Sequence, residues 1–146
     1  MKILLIFILV INYLQADKII INIEINPEKK NDATSWYTST KWDINSDPDL
    51  YGTVKLNNKV IWNVDKVNSI KDTLAFSIVK TISNIKSGDI ISILLYDNDT
   101  TKMQKYKLIN KINNDDLIGK GKIAITNLLM NKIIGKITLE ILIEQD

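Results

Sequence analysis

An antiparallel Greek-key β-sandwich of about eight strands is the fold class that the sequence predicts, and three observations predict it. Apolar and polar residues alternate over short runs, as in Ile19, Ile21, Ile23 and Ile25 against Lys18, Asn22 and Glu24. Strand side chains point to opposite faces in turn, so this alternation marks a half-buried strand. Turn signals such as Pro27, Asn57-Asn58 and Gly88-Asp89 punctuate the runs. No long segment carries the period of an amphipathic helix, leaving sheet packed on sheet as the way to build a core.

In chain order, Met1 and Lys2 precede an apolar run over 3–11, and a small residue, Ala16, follows shortly after. That is the layout of a secretory signal peptide cut after Ala16. The run falls short of the roughly 20 residues that a membrane-spanning helix needs. The expectation is an exported protein, secreted or periplasmic, with residues 17–146 forming one domain. The first strand is expected at 18–25, ended by Pro27, with 28–40 a polar connection. Strands at 51–56 and 59–63 pair as a hairpin around Asn57-Asn58. A polar loop over 65–71 leads to a strand at 73–78. A segment containing Ile82 and Ile85 crosses to the turn Lys86-Ser87-Gly88-Asp89. The apolar strand at 90–96 runs into Asp97-Asn98-Asp99. Residues 100–114 carry interleaved lysines and apolar residues and read as a long loop, an added hairpin or a short helix. Strands at 120–126 and 136–144 complete the sandwich.

Composition removes several kinds of chemistry. The chain has no cysteine and no histidine, which excludes disulfides, a thiol nucleophile, a Ser-His-Asp triad and a Cys/His zinc site. All 19 basic residues are lysine. Bidentate readout of phosphates and bases favours arginine, so the balance argues against a nucleic-acid partner. The ligands that remain are oxygens, and hard oxygen donors suit calcium or magnesium.

Acids gather where strands begin and end: Asp43, Asp47 and Asp49 before one strand, Asp97 and Asp99 after another, Asp115 and Asp116 before a third. Loops of a sandwich cluster at its two ends. If five carboxylates converge within about 4 Å of one another, each close pair repels by about 4 kcal/mol at an effective dielectric of about 20. Such a cluster protonates or holds cations. Any one of these turns, taken alone, reads as a solvated surface loop.

The same residues resemble the C2 domain, the calcium-dependent phospholipid-binding sandwich of protein kinase C and synaptotagmin. Asp43 and Asp49 have the spacing of the family's first calcium loop, and Ser46-Asp47-Pro48-Asp49-Leu50-Tyr51 resembles its Ser-Asp-Pro motif. Tyr96-Asp97-Asn98-Asp99 and Asp116-Leu117-Ile118-Gly119 are similar to the third loop. The connection between Asp99 and Asp116 is longer than the family's, and its Asn-Pro-x-Trp-Asn-Glu stretch is not recognisable near Ile70 to Phe76. The lysine-rich strand of some members is weak here.

The resemblance implies that Asp43, Asp49, Asp97, Asp99 and Asp116, with Asp47 or Asp115 as substitutes, bind one or two calcium ions, helped by carbonyls near Ile44 and Asn98. Calcium would then let the tip dock to anionic phospholipid or to a partner protein. A rival reading is an adhesion module that binds protein or glycan through Trp36, Tyr37 and Trp42. An enzyme using paired carboxylates ranks below both, since short loops at a sandwich tip offer no cleft. Trp62, within an apolar strand, reads as core. Asn98-Asp99-Thr100 fits a glycosylation sequon whose place in the acidic loop argues against occupancy.

Overall fold

The computed structural model describes residues 16–27, 47–98 and 117–145. Eight strands follow in order: β1 (Ala16–Ile25), β2 (Leu50–Leu56), β3 (Lys59–Val64), β4 (Ala75–Ser83), β5 (Ile90–Asp97), β6 (Leu117–Ala124), β7 (Leu129–Ile134) and β8 (Ile137–Glu144). They form two four-stranded antiparallel sheets, ordered β4-β1-β8-β7 and β3-β2-β5-β6. The fold is the sandwich expected from the sequence. The cut expected after Ala16 falls at the first residue of β1, and the segment before it lies outside the described residues.

Isoleucine and leucine build the core. Ile19, Ile21 and Ile23 of β1 and Ile137, Leu139 and Ile141 of β8 lie back from solvent on one sheet, and Leu50, Val54, Ile91 and Leu95 face them from the other. These β-branched and leucine side chains suit a pleated, half-buried surface. Trp62 of edge strand β3 meets Phe76 of edge strand β4 with ring centroids 5.2 Å apart, closing one open side of the sandwich. Trp62 is thus partly buried against the core, as expected.

Two strands depart from expectation. β4 runs on to Ser83, so Ile82 belongs to a strand and not to a crossing segment. β7 was not expected. Both are edge strands of the first sheet, and each carries a lysine on its core-facing side: Lys80 opposite Ile19 and Lys132 opposite Leu139. An inward charge interrupts the apolar alternation that would mark the strand, and it also discourages edge-to-edge pairing with another chain.

The topology places the end of β1, the start of β2, the connection 65–74, the end of β5 and the start of β6 at one end of the sandwich, together with the β7–β8 turn. Backbone hydrogen bonds tie this end together: Ile25 N–H to Leu74 O, Asn26 N–H to Lys136 O and Lys136 N–H to Ile118 O, at 2.8, 2.8 and 2.9 Å. The opposite end holds the Asn57-Asn58 turn. There the Asn57 amide donates to Asp89, and Asp17 accepts from the Ile85 N–H. Asp17 and Asp89 are therefore at the end of the sandwich opposite Asp49 and Asp97.

Candidate functional site

β5 ends on Asp97, whose alternation with Ile91, Ile93 and Leu95 turns its side chain inward, between the sheets at the acidic end. It is fully buried. Its Oδ1 accepts a hydrogen bond from the Asp49 N–H at 2.8 Å, and the Asn98 N–H donates to Asp49 O at 2.8 Å. The start of β2 and the end of β5 are therefore locked to each other through the two aspartates. This bond fixes the orientation of Asp97.

Asp49 is held from a third element. Lys71 Nζ pairs with its Oδ2, and Oδ1 accepts from the Asp72 N–H at 3.2 Å. The connection carrying Lys71 is itself anchored: Leu50 and Ile70 exchange backbone hydrogen bonds at 2.7 and 2.8 Å, and Thr73 N–H donates to Pro48 O at 3.0 Å. The Asn98 side-chain amide donates to Lys66 O at 2.9 Å and to Ser69 Oγ at 3.1 Å. That amide is built into the tip.

Within the same connection, residues 66–68 form a 3-10 turn capped by Asp65. The Asn68 N–H donates to Asp65 Oδ1 at 2.9 Å and its side-chain amide reaches both carboxylate oxygens at 3.0 Å. The backbone bond first, then the amide, hold the Asp65 carboxyl below its ordinary value of 3.8. A lowered folded-state value means the cap is fully present above that ordinary value and is lost as pH falls through the folded one. Carbon-detected NMR should show Asp65 titrating below 3.8 with the 3-10 turn fraying alongside; an unshifted midpoint would mean that the cap contributes nothing. In the middle of that turn, Val67 is 91% exposed, the most exposed large apolar side chain among the described residues.

Of the residues singled out in the sequence, Asp49 and Asp97 are joined through the Asp49 backbone N–H, and Asp47 stands exposed two positions before Asp49. Asp43, Asp99, Asp115 and Asp116, the aromatics Trp36, Tyr37 and Trp42, and the segment 100–114 lie outside the described residues. Among the described residues, no group of three or more acidic, histidine or cysteine side chains comes together to hold a metal. The oxygen chemistry of Asp49 and Asp97 fits a hard divalent cation. Lys71 and Ser69 lie in the stretch 65–71 that the sequence marks only as polar loop, and Asp72 just after it; all three contact or brace these groups. The spacing Asp65-x-x-Asn68, a cap pattern, was the one local signal that this connection is structured.

No protein-family model matches the sequence, and no curated protein matches it. Among solved structures, one of Extended-Synaptotagmin 2 that holds its SMP domain and two C2 domains superposes with a TM-score of 0.46 at 17% identity, covering 90% of this chain and 27% of that one. A calcium-bound structure of the two C2 domains of Extended-Synaptotagmin 2 does so with a TM-score of 0.46 at 16% identity, covering 90% of this chain and 45% of that one. The chain thus spans less than half the length of either structure.

Proposed function

We propose that this chain is an exported calcium-responsive module that docks on anionic phospholipid membranes and catalyses no reaction. The observation that carries this reading is the hydrogen bond from the Asp49 backbone N–H to the Asp97 carboxyl, which holds two acid-bearing strand ends that only the sandwich topology brings together. In this reading the two would hold calcium together with Asp43, Asp99 and Asp116, with Asp47 or Asp115 able to substitute. Calcium would supply positive charge at an otherwise acidic tip and open coordination positions for lipid phosphate.

The protein's own residues supply the rest of the membrane contact. Val67 offers an apolar side chain at that end, flanked by Lys66 and close in sequence to Lys71. The pairing register also collects basic residues on the outer face of the second sheet. Lys55 and Lys122 flank Ser92 in one row, toward the end opposite the tip, and Lys120 stands beside Leu94 in the next, so they would meet a membrane only if the sandwich lies on that face. Lysines near an anionic surface each contribute about 1 kcal/mol of attraction. The expected affinity for calcium is that of extracellular modules, about 10⁻⁴–10⁻³ M.

Calorimetric titration of the secreted protein with calcium, followed by co-sedimentation with phosphatidylserine-containing vesicles, tests this. Calcium-dependent pelleting that chelator reverses is the expected result. Heat-silent titration, or pelleting indifferent to chelator, would replace it with the adhesion reading.

A further inference from the structure

We propose that Lys71 is a tethered cation that occupies the Asp49 carboxylate in the calcium-free protein and is displaced when a divalent ion binds, so that it raises the calcium concentration at which the tip switches. This rests on the calcium reading above and adds the regulation of that site.

Both oxygens of Asp49 are taken by neighbours in one connection: Oδ2 by the Lys71 ammonium and Oδ1 by the Asp72 N–H. The two partners differ in how they are held. Asp72 reaches Asp49 through backbone. The Lys71 side chain reaches in from solvent, with 63% of it exposed against 19% for Asp49. Its backbone stays in place without that ion pair, because Ile70 is bonded to Leu50, Thr73 N–H to Pro48 O, and Thr73 Oγ1 to Lys71 O at 2.8 Å. The ammonium can leave while its anchor remains, and no core contact is broken.

Competition then follows from charge and coordination. A lysine brings one charge on a flexible four-carbon stem. A calcium ion brings two and engages six to eight oxygens at once. Calcium therefore takes Asp49 once its concentration suffices, and the tethered ammonium shifts that concentration upward. The displaced ammonium is left in solvent on the same connection that carries Val67. Exchange of one cation for another thus turns an internal ion pair into a free positive charge.

Lys71→Met keeps much of the stem and removes the charge. Calorimetry should show calcium binding about two- to fivefold tighter than in the unsubstituted protein, the range expected from a surface ion pair. In the unsubstituted protein carrying ¹³C-methylated lysines, the Lys71 signal, assigned by its loss in Lys71→Met, should move with the calorimetric midpoint. Binding that appears only in Lys71→Met would overturn it, because the ammonium is then never displaced in the unsubstituted protein. Equal affinity in both proteins would overturn it. Tighter binding with a stationary Lys71 signal would also overturn it, leaving like-charge repulsion without displacement. Failure of both proteins to bind calcium would instead overturn the calcium reading itself, and with it this proposal.

Discussion

Gly52→Ala is expected to destabilise the protein by more than about 4 kcal/mol, in the range where single substitutions abolish folding of a marginal domain. Gly52 sits in the middle of β2 with φ of 151°, a conformation that side chains rarely adopt. A Cβ there would stand 2.1 Å from Leu94 O and 3.0 Å from Leu95 Cα, both backbone atoms of the partner strand. Neither can rotate aside as a side chain would, so β2 and β5 would have to part where Gly52 pairs with Leu95. Because those two strands position Asp49 and Asp97, loss of the pairing also dismantles the tip. Chemical denaturation followed by tryptophan fluorescence measures this, and a loss below about 1 kcal/mol would contradict the close approach of the two strands.

Substitutions at Asp97 separate its structural role from its proposed ligand role. Asp97→Ala removes the acceptor for the Asp49 N–H. Leaving such a donor without a partner costs about 1–3 kcal/mol, expected here in the presence of chelator. Asp97→Asn keeps a side-chain oxygen for that N–H while cancelling the negative charge. It should therefore retain most of the stability lost by alanine yet lose calcium binding in calorimetry. Unchanged calcium affinity in Asp97→Asn would remove Asp97 from the ligand set. Equal stability of the two variants in chelator would mean that the Asp49 contact contributes little to the fold.

The strands that alternate cleanly were legible from the sequence. β1 and β8 carry an isoleucine or leucine at every second position because both run through the centre of their sheet. β7 was missed for a physical reason. Its outward residues Leu129 and Ile133 are apolar and largely exposed, and its inward row includes Lys132, so the two faces differ little in hydropathy. The expected end of β4 at Ile78 has the same cause, with Val79 outward and Lys80 inward. In the acidic connections, residue type pointed to Asp49 and Asp97. It did not point to Lys71, which resembles any other surface lysine until its partner is known.

The sequence by itself determined the all-β character, the inward stripes of isoleucine and leucine, the exclusion of thiol and imidazole chemistry, and the gathering of acids at strand ends. Those properties are local: they follow from residue type and from a period of two along the chain. Only the tertiary structure decided which acids meet. The Asp49 N–H and Asp97 Oδ1 are 48 residues apart and touch because β2 and β5 are neighbours, an order that no local pattern encodes. The same holds for Lys71 on Asp49, for Asn98 on Ser69, and for the row of Lys55 and Lys122 across Ser92. Each depends on which strands pair and in what register, and shifting a strand by one residue would move its side chains to the opposite face.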